Sequence, residues 1–255
     1  MLRGMYTSAQ GMMAQMQTLE VVSNNIANAN TTGFRGASAV QQSFPEMLLQ
    51  SIEAIPGQAP HSMNPIGGTG WGTLVVDHSV NFASGAMQQT GGTFDVAIGG
   101  TGFFAIEQAN GEEMFTRNGA FTLDANRILV TGSGDRVMST SGNAITIPDE
   151  GEVLISSTGE IRIDGNLIDT LRVVDFETPS ELRQFGYNLF RAPASAGEIE
   201  FAGTLSQGYL EGSNVSVVNE MVRMINVSRS FEMNQRMITI QDGTLDRAVN
   251  EIARR

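Results

Sequence analysis

The chain contains neither cysteine nor lysine, and all fifteen of its basic residues are arginine. The absence of cysteine excludes a disulfide framework and any thiolate metal site. The absence of lysine excludes a P-loop at the glycine clusters 67–70 and 99–102, which also lack the G-x-G-x-x-G spacing of a dinucleotide site. Both clusters are therefore predicted to be turns.

Positive charge and long apolar stretches are scarce. The formal net charge is −12 and the isoelectric point is near 4.5, which argues against nucleic acid and against an anionic membrane surface as partners. No stretch approaches the roughly 18 apolar residues of a membrane span, and the N-terminus lacks the pattern of a cleaved signal peptide. We expect a soluble protein without membrane insertion that leaves the cytoplasm, if at all, by another route.

Histidine is nearly absent as well, since only His61 and His78 occur. With no cysteine and no His-x-x-x-His pair, the sequence predicts no metal and no cofactor. Acidic loops around Glu112 and Asp149 leave one enzymatic hypothesis open, an exported peptidoglycan-acting hydrolase with two opposed carboxylates. Because these carboxylates lie beside turn glycines, solvated loops are favoured and no catalytic residue is predicted.

What the chain does have is an apolar heptad pattern at each end. The N-terminal row consists of Leu2, Met5, Ala9, Met12, Met16, Leu19 and Ile26. The C-terminal row consists of Val217, Met224, Phe231, Ile238, Leu245 and Ile252, with a half-polar companion row of Met221, Ser228, Gln235, Asp242 and Val249. Narrow rows of this kind predict helices of coiled-coil type that require a partner helix.

The ends of both helices are predicted from polar residues. The N-terminal helix is expected over about 3–30, with Gly33 as its left-handed cap. Gly4 and Gly11 either allow a close helix approach or are simply tolerated. The C-terminal helix is expected to open at Ser213 or Asn214 as N-cap.

An amide cluster lies near the end of the first helix. Asn24, Asn25 and Asn28 fall within five residues, and asparagine is an unfavourable helix former. Two interpretations stay open: hydrogen bonds to a neighbouring chain or to the backbone, or solvated residues at a frayed end.

Between the helices, short alternating segments and turn signals predict β structure. Hairpins are expected at Asn110-Gly111, Asn118-Gly119 and Asp164-Gly165, and the short strand spacing favours an antiparallel sandwich or barrel. The predicted fold is mixed α+β, a discontinuous coiled-coil-type module of terminal helices flanking a mainly antiparallel β domain. The predicted divisions are an N-terminal helix 1–33, an extended linker 34–72, a β domain 73–207 and a C-terminal helix 208–255.

Four blocks of the chain resemble one family, the bacterial flagellar rod and hook proteins. They are residues 23–35 (SNNIANANTTGFR), the segments DVAI at 95–98 and GFF at 102–104, residues 115–121 (FTRNGAF), and residues 208–215 (GYLEGSNV) followed by Glu220, Met224-Ile225 and RSFE at 229–232. The blocks occur in the family's order and cover nearly the whole chain. One departure is Arg127, where the family more often has glycine, and an altered hairpin is expected there.

The resemblance implies a structural subunit with no catalysis, exported through the dedicated flagellar apparatus into the periplasmic part of the basal body. Such proteins polymerise into a hollow helical tube with the paired terminal helices as its inner wall. The implied partners are further copies of the chain, other rod and hook proteins, the export apparatus and the surrounding bushing rings. The segment 34–86 resembles the distal-rod type, and residues 231–239 the proximal-rod type. The distal-rod type is the prediction, and a proximal-rod or hook protein of the same family is the alternative.

We therefore predict an assembly interface on the terminal helices. It consists of Met5, Ala9, Met12, Met16, Leu19, Asn24, Asn25, Ile26, Asn28, Val217, Met221, Met224, Phe231, Ile238, Leu245 and Ile252. The burial that two such rows supply is small beside the entropy of ordering about sixty residues, so the helices are expected to order fully only on assembly. An adhesin with a coiled-coil stalk is the third hypothesis.

Overall fold

The structure is a computed structural model that describes residues 2–43, 47–52, 63–69, 72–148, 151–186 and 188–252. The chain divides into two compact units. The helical unit comprises 1–23, 38–79 and 218–255, and the β unit comprises 24–37 and 80–217. All strand pairs with a defined register are antiparallel, so the predicted mixed α+β class with flanking terminal helices is confirmed.

Two long helices form most of the helical unit: α1 spans Leu2–Ala27 and α2 spans Val217–Ile252. They run antiparallel, because Gly4 lies against Gln241 while Gly11 lies against Asn234. A Cβ atom at Gly11 would lie 3.0 Å from Asn234 Nδ2. Both glycines thus allow a close helix approach, the first of the two interpretations offered for them.

The most buried face of α1 differs from the predicted heptad row. Ser8, Ala14, Thr18 and Val22 are buried, a row displaced by about one residue from the predicted one. Gln41 Nε2 on the following strand donates to Thr18 Oγ1 at 3.0 Å. Small side chains face the packed side because they let neighbouring elements approach, and the larger methionines remain partly exposed.

The predicted row of α2 is half-buried from Val217 to Leu245. The second row of α2 that is packed in the structure consists of Glu220, Val227, Asn234 and Gln241. Each of these residues comes one position before a member of the predicted companion row, which starts at Met221. The polar Asn234 and Gln241 occupy the space beside the two α1 glycines. The side chain of Ile252 lies outside the described residues.

The start of α2 corrects a prediction. The helix begins at Val217, and Asn214 does not cap it. Asn214 Oδ1 instead accepts from the Gly36 amide at 2.8 Å, and its Nδ2 donates to the carbonyl oxygens of Asn81 and Ala83. Because the Asn214 side chain makes these long-range hydrogen bonds, it does not accept a bond from the first amides of α2. The end of α1 also differs, because the helix stops at Ala27 and Gly33, at φ 67°, lies beyond it.

The segment predicted as a linker, 34–72, contains three strands in its described parts, and a fourth strand follows it directly. They are β1 (Ala37–Ser43), β2 (Met47–Ile52), β3 (Met63–Thr69) and β4 (Thr73–Val80). β1 pairs with β4, and β2 pairs with β3 in antiparallel register.

The β unit contains sixteen short strands and two 3-10 turns, at Pro179–Glu181 and Ala194–Ala196. The strands are β5 (Met87–Gln89), β6 (Val96–Gly99), β7 (Phe103–Glu107), β8 (Glu113–Thr116), β9 (Phe121–Leu123), β10 (Leu129–Thr131), β11 (Arg136–Val137), β12 (Val153–Ile155), β13 (Glu160–Ile163), β14 (Asn166–Thr170), β15 (Val173–Phe176), β16 (Arg183–Phe185), β17 (Leu189–Arg191), β18 (Glu198–Glu200), β19 (Thr204–Gln207) and β20 (Tyr209–Glu211). Nine of them form one sheet with the path β16-β17-β8-β7-β11-β10-β9, and β15 joins β7 to β18.

Strand β7 is at the centre of this sheet and contributes to two cores. Phe104 belongs to one buried apolar cluster, while Phe103 and Ala105 belong to another. Successive side chains of a strand point to opposite faces, so an uninterrupted apolar sequence supplies both cores. This arrangement explains why β7 is apolar without alternation.

Two of the three predicted hairpins are observed. Asn110-Gly111 joins β7 to β8, and Asp164-Gly165 joins β13 to β14. Asn118-Gly119 joins β8 to β9, which are not neighbours in the sheet, so no hairpin forms there. The Gly119 carbonyl instead accepts a hydrogen bond from the Val96 amide at 3.1 Å. Residues 144–147 form only isolated bridges, although Ile145 and Ile147 are fully buried.

Candidate assembly site

A buried ion cluster joins three of the motif blocks in the β unit. Arg35 Nη2 lies 2.8 Å from Glu211 Oε1, and Arg117 Nη1 lies 3.6 Å from Glu211 Oε2. All three side chains are at most 2% exposed. Glu211 Oε1 also accepts from the Gly85 amide at 2.8 Å. The segment after α1, the end of β8 and the strand before α2 thus meet at one carboxylate.

Two buried cations share this carboxylate. Burial lowers the pKa of Arg117 to about 10, and Glu211 and Asp175 oppose that shift while Arg35 adds to it. Burial also lowers the pKa of Arg35, against the attraction of Glu211. Arginine stays protonated near neutral pH, so Glu211 offsets the charge of both cations, and Asp175 contributes at Arg117.

Backbone and side-chain bonds reinforce the cluster. The Gly33 amide donates to the Glu211 carbonyl at 2.7 Å, and Arg117 Nη2 donates to the Gly100 carbonyl at 2.5 Å. Thr32 Oγ1 donates to Asn118 Oδ1 at 2.7 Å. Sequence reasoning missed this centre. The only feature of the sequence that points to this ion cluster is one charged residue in each of three motif blocks, near glycines that permit close approach.

The asparagine cluster makes backbone hydrogen bonds, one of the two interpretations offered for it. Asn25 is buried, and its side chain bonds both backbone groups of Ala37, with Nδ2 donating to the oxygen at 2.8 Å and Oδ1 accepting from the amide at 3.0 Å. Asn28 Nδ2 donates to the Asn24 carbonyl at 3.0 Å. Asn24 itself is exposed. Asn25 therefore ties the end of α1 to the start of β1.

The remaining residues of the predicted interface lie on the helix surfaces. Half-buried positions are Met5, Ala9, Met12, Leu19, Ile26, Val217, Met224, Phe231, Ile238 and Leu245. Met16 and Met221 are 55% and 51% exposed. Many large apolar side chains of the terminal helices thus keep accessible surface in the single chain.

The residues considered for catalysis lie at the surface or outside the described residues. Glu112 pairs with Arg191 at 2.6 Å and Glu113 pairs with Arg172 at 2.9 Å. His78 is exposed on β4, whereas His61 and Asp149 fall outside the described residues. Within the described ranges, no three acidic or histidine side chains converge as metal ligands, and no helix is long and apolar enough to cross a membrane.

Arg127, the departure from the family pattern, adopts the left-handed conformation at φ 62° that glycine favours. Arg127 Nη2 donates to the Pro148 carbonyl at 2.6 Å, and its Nε donates to the Ile147 carbonyl at 3.3 Å. The β9–β10 hairpin therefore accommodates arginine by holding its side chain against the neighbouring segment.

Comparisons with known proteins cover the same blocks. The family model "Flagella basal body rod protein" matches residues 5–35, "Flagellar hook protein FlgE/F/G D1 domain" matches 97–163, and "Flagellar basal body rod FlgEFG protein C-terminal" matches 206–251. The flagellar basal-body rod protein FlgG of Borreliella burgdorferi is 35% identical over 98% of both chains. FlgG of Agrobacterium fabrum is 37% identical, over 94% of this chain and 96% of its own. FlgF of Caulobacter vibrioides, also a flagellar basal-body rod protein, is 33% identical, over 92% of this chain and 91% of its own.

The chain therefore belongs to the flagellar basal-body rod protein family, and the resemblance of its four blocks is confirmed. It is a structural subunit of the bacterial flagellar basal body, of the FlgG or distal-rod type.

Proposed function

We propose that this chain polymerises with copies of itself into a hollow helical rod that transmits torque and lets exported proteins pass through its centre. The observation that carries the proposal is the accessible apolar surface on both terminal helices, including Met16 and Met221. Isolated helices of this kind gain stability mainly from packing against a partner. Of the predicted sixteen-residue interface, the exposed side chains are the ones available to neighbouring subunits, whereas Asn25 and Asn28 are buried within the chain.

The proposed partners are other rod and hook proteins at the two ends of the polymer, the flagellar export apparatus, and the surrounding bushing rings. No catalytic step is part of this function. The antiparallel pairing of α1 and α2 within one chain favours a rod subunit over an adhesin, since an adhesin stalk requires parallel helices from several chains.

Complementation tests the proposal directly. In a strain whose own copy of this gene is deleted, the unaltered chain should restore rods in electron micrographs of basal bodies, and Met16→Asp, at a side chain that is 55% exposed, should not. Leu167→Asp is the matched control, because Leu167 is a similarly apolar side chain that is 57% exposed on the β unit, and it should restore rods. Normal rods with Met16→Asp would contradict the helix-based assembly, and normal rods in the deletion strain would contradict the function itself.

A further inference from the structure

Each terminal helix carries a second apolar row, on the side opposite to its packed face. On α2 this outer row contains Val218, Val222, Ile225, Met233 and Ile240, which are 51–71% exposed. On α1 the outer row contains Tyr6, Met13 and Met16, which are 55–65% exposed. At 100° per residue, both outer rows point away from the positions that bury the helices against each other.

The few charges within the outer rows are complementary. Glu20 lies in the α1 row, one heptad after Met13, and is the only acidic residue of that helix. Arg229 and Arg236 lie in the α2 row between the apolar residues, and Arg247 continues that face about five turns after Arg229. Glu20, Arg229 and Arg236 form no ion pair within the described residues and are exposed. An unpaired acid on one row and unpaired bases on the other match each other across an interface.

The two rows also match in register over residues 6–20 of α1 and 229–243 of α2, apart from Met13, which falls opposite Arg236. In a polymer whose subunits share one polarity, α1 of one copy meets α2 of the next in the antiparallel direction that the two helices have within one chain. Placing Glu20 opposite Arg229 then places Met16 opposite Met233 and Ala9 opposite Ile240. Tyr6 falls opposite Gly243, where a Cβ atom would meet nothing within 4 Å. The large aromatic ring thus faces the open position.

We propose that the outer row of α1 docks on the outer row of α2 of a second copy of this chain, with Glu20 facing Arg229. The contact joins two different surfaces of the same protein, and such a heterologous contact builds an open polymer instead of closing into a two-fold dimer. The inference rests on the proposed self-assembly and specifies which helix faces carry it.

Cross-linking tests the contact, and the absence of cysteine from the chain makes it specific. The full-length Met16→Cys, Met233→Cys double variant should give a ladder of covalent oligomers under mild oxidation. A mixture of the two single variants should stop at covalent dimers, because each chain then offers one reactive end. Met16→Cys combined with Leu167→Cys is the control and should give no ladder. A cross-link within one chain, or a polymer without any ladder from the first double variant, would overturn the assignment.

Charge reversal supplies an independent measurement. Glu20→Arg and Arg229→Glu should each raise the concentration needed for polymerisation, by about fivefold if attraction becomes repulsion of similar size. The double reversal should return it to within about twofold of the unaltered chain. If single reversals leave polymerisation unchanged, the face assignment fails while self-assembly stands. If the unaltered chain sediments as a monomer at every concentration, the proposed function fails with it.

Discussion

Arg35 and Glu211 come from the segments that follow α1 and precede α2, and they form an ion pair of 2.8 Å with both side chains buried. Arg117 approaches the second oxygen of the same carboxylate at 3.6 Å. The two chain segments that lead to the terminal helices are therefore fastened to one another and to β8.

Replacing Glu211 with glutamine should destabilise the β unit by about 3–5 kcal/mol, because it removes the carboxylate that the two buried cations share. Glu198→Gln is the control, since Glu198 faces Arg172 at the surface at 3.4 Å and should cost below about 1 kcal/mol. Native-state hydrogen exchange of the β7 amides reports the free energy of opening for this unit. Equal effects of the two substitutions would contradict the importance of the buried cluster.

Replacing Asn25 with alanine should cost about 2–3 kcal/mol, because it removes two hydrogen bonds to Ala37 in a buried position. The Ala37 amide should also exchange faster with solvent, since Asn25 Oδ1 is its acceptor. Asn24→Ala provides the comparison: this neighbour is exposed and should change stability by less than about 0.5 kcal/mol. Unaltered exchange at Ala37 would show that the amide pair is not formed.

Gly33 and Gly111 both have positive φ, and they differ in the space around them. A Cβ at Gly33 would lie 2.5 Å from the Asn118 amide nitrogen, whereas one at Gly111 would meet nothing within 4 Å. Gly111→Ala should therefore cost only the backbone conformation, about 1–2 kcal/mol. Gly33→Ala should cost at least about twice as much, because it also separates the segment after α1 from β8. Thermal unfolding of both variants compares the two values, and similar losses would contradict the close approach at Gly33.

Arg127 tests how the hairpin tolerates a side chain in a glycine conformation. Arg127→Ala should destabilise by about 1–3 kcal/mol, since it loses the bonds to the Ile147 and Pro148 carbonyls and keeps the strained φ. Arg127→Gly loses the same bonds and relieves the strain, so its stability should lie within about 1 kcal/mol of the unaltered chain. A glycine variant that is no more stable than the alanine variant, measured by urea denaturation, would argue against strain at this position.

The heptad rows and the β segments could be predicted because both follow from periodicity within one stretch of chain. The rotation of the buried face of α1 could not, because small residues such as Ser8 and Thr18 carry little hydropathy and are selected by the close approach of other elements. The companion row of α2 was displaced for the same reason, since Asn234 and Gln241 fit beside glycines of the other helix.

Hydrogen bonds and ion pairs between distant parts of the chain could not be predicted from the sequence either. Asn214 has the residue type and the position of an N-cap, yet its side chain bonds Gly36, Asn81 and Ala83. The ion cluster joins residues that are far apart in the chain, and no local pattern pairs Arg35 with Glu211. The resemblance of four ordered motif blocks identified the family, while the connection between these blocks required the three-dimensional structure.

The most direct test of the central claim is hydrogen exchange on the dilute full-length chain and on its polymer, read separately for 2–27, 96–207 and 217–252. We predict fast exchange of both terminal helices in the dilute chain and strong protection of the same residues in the polymer, with the β unit protected in both states. Equal protection of the terminal helices in the two states would contradict an assembly carried by these helices.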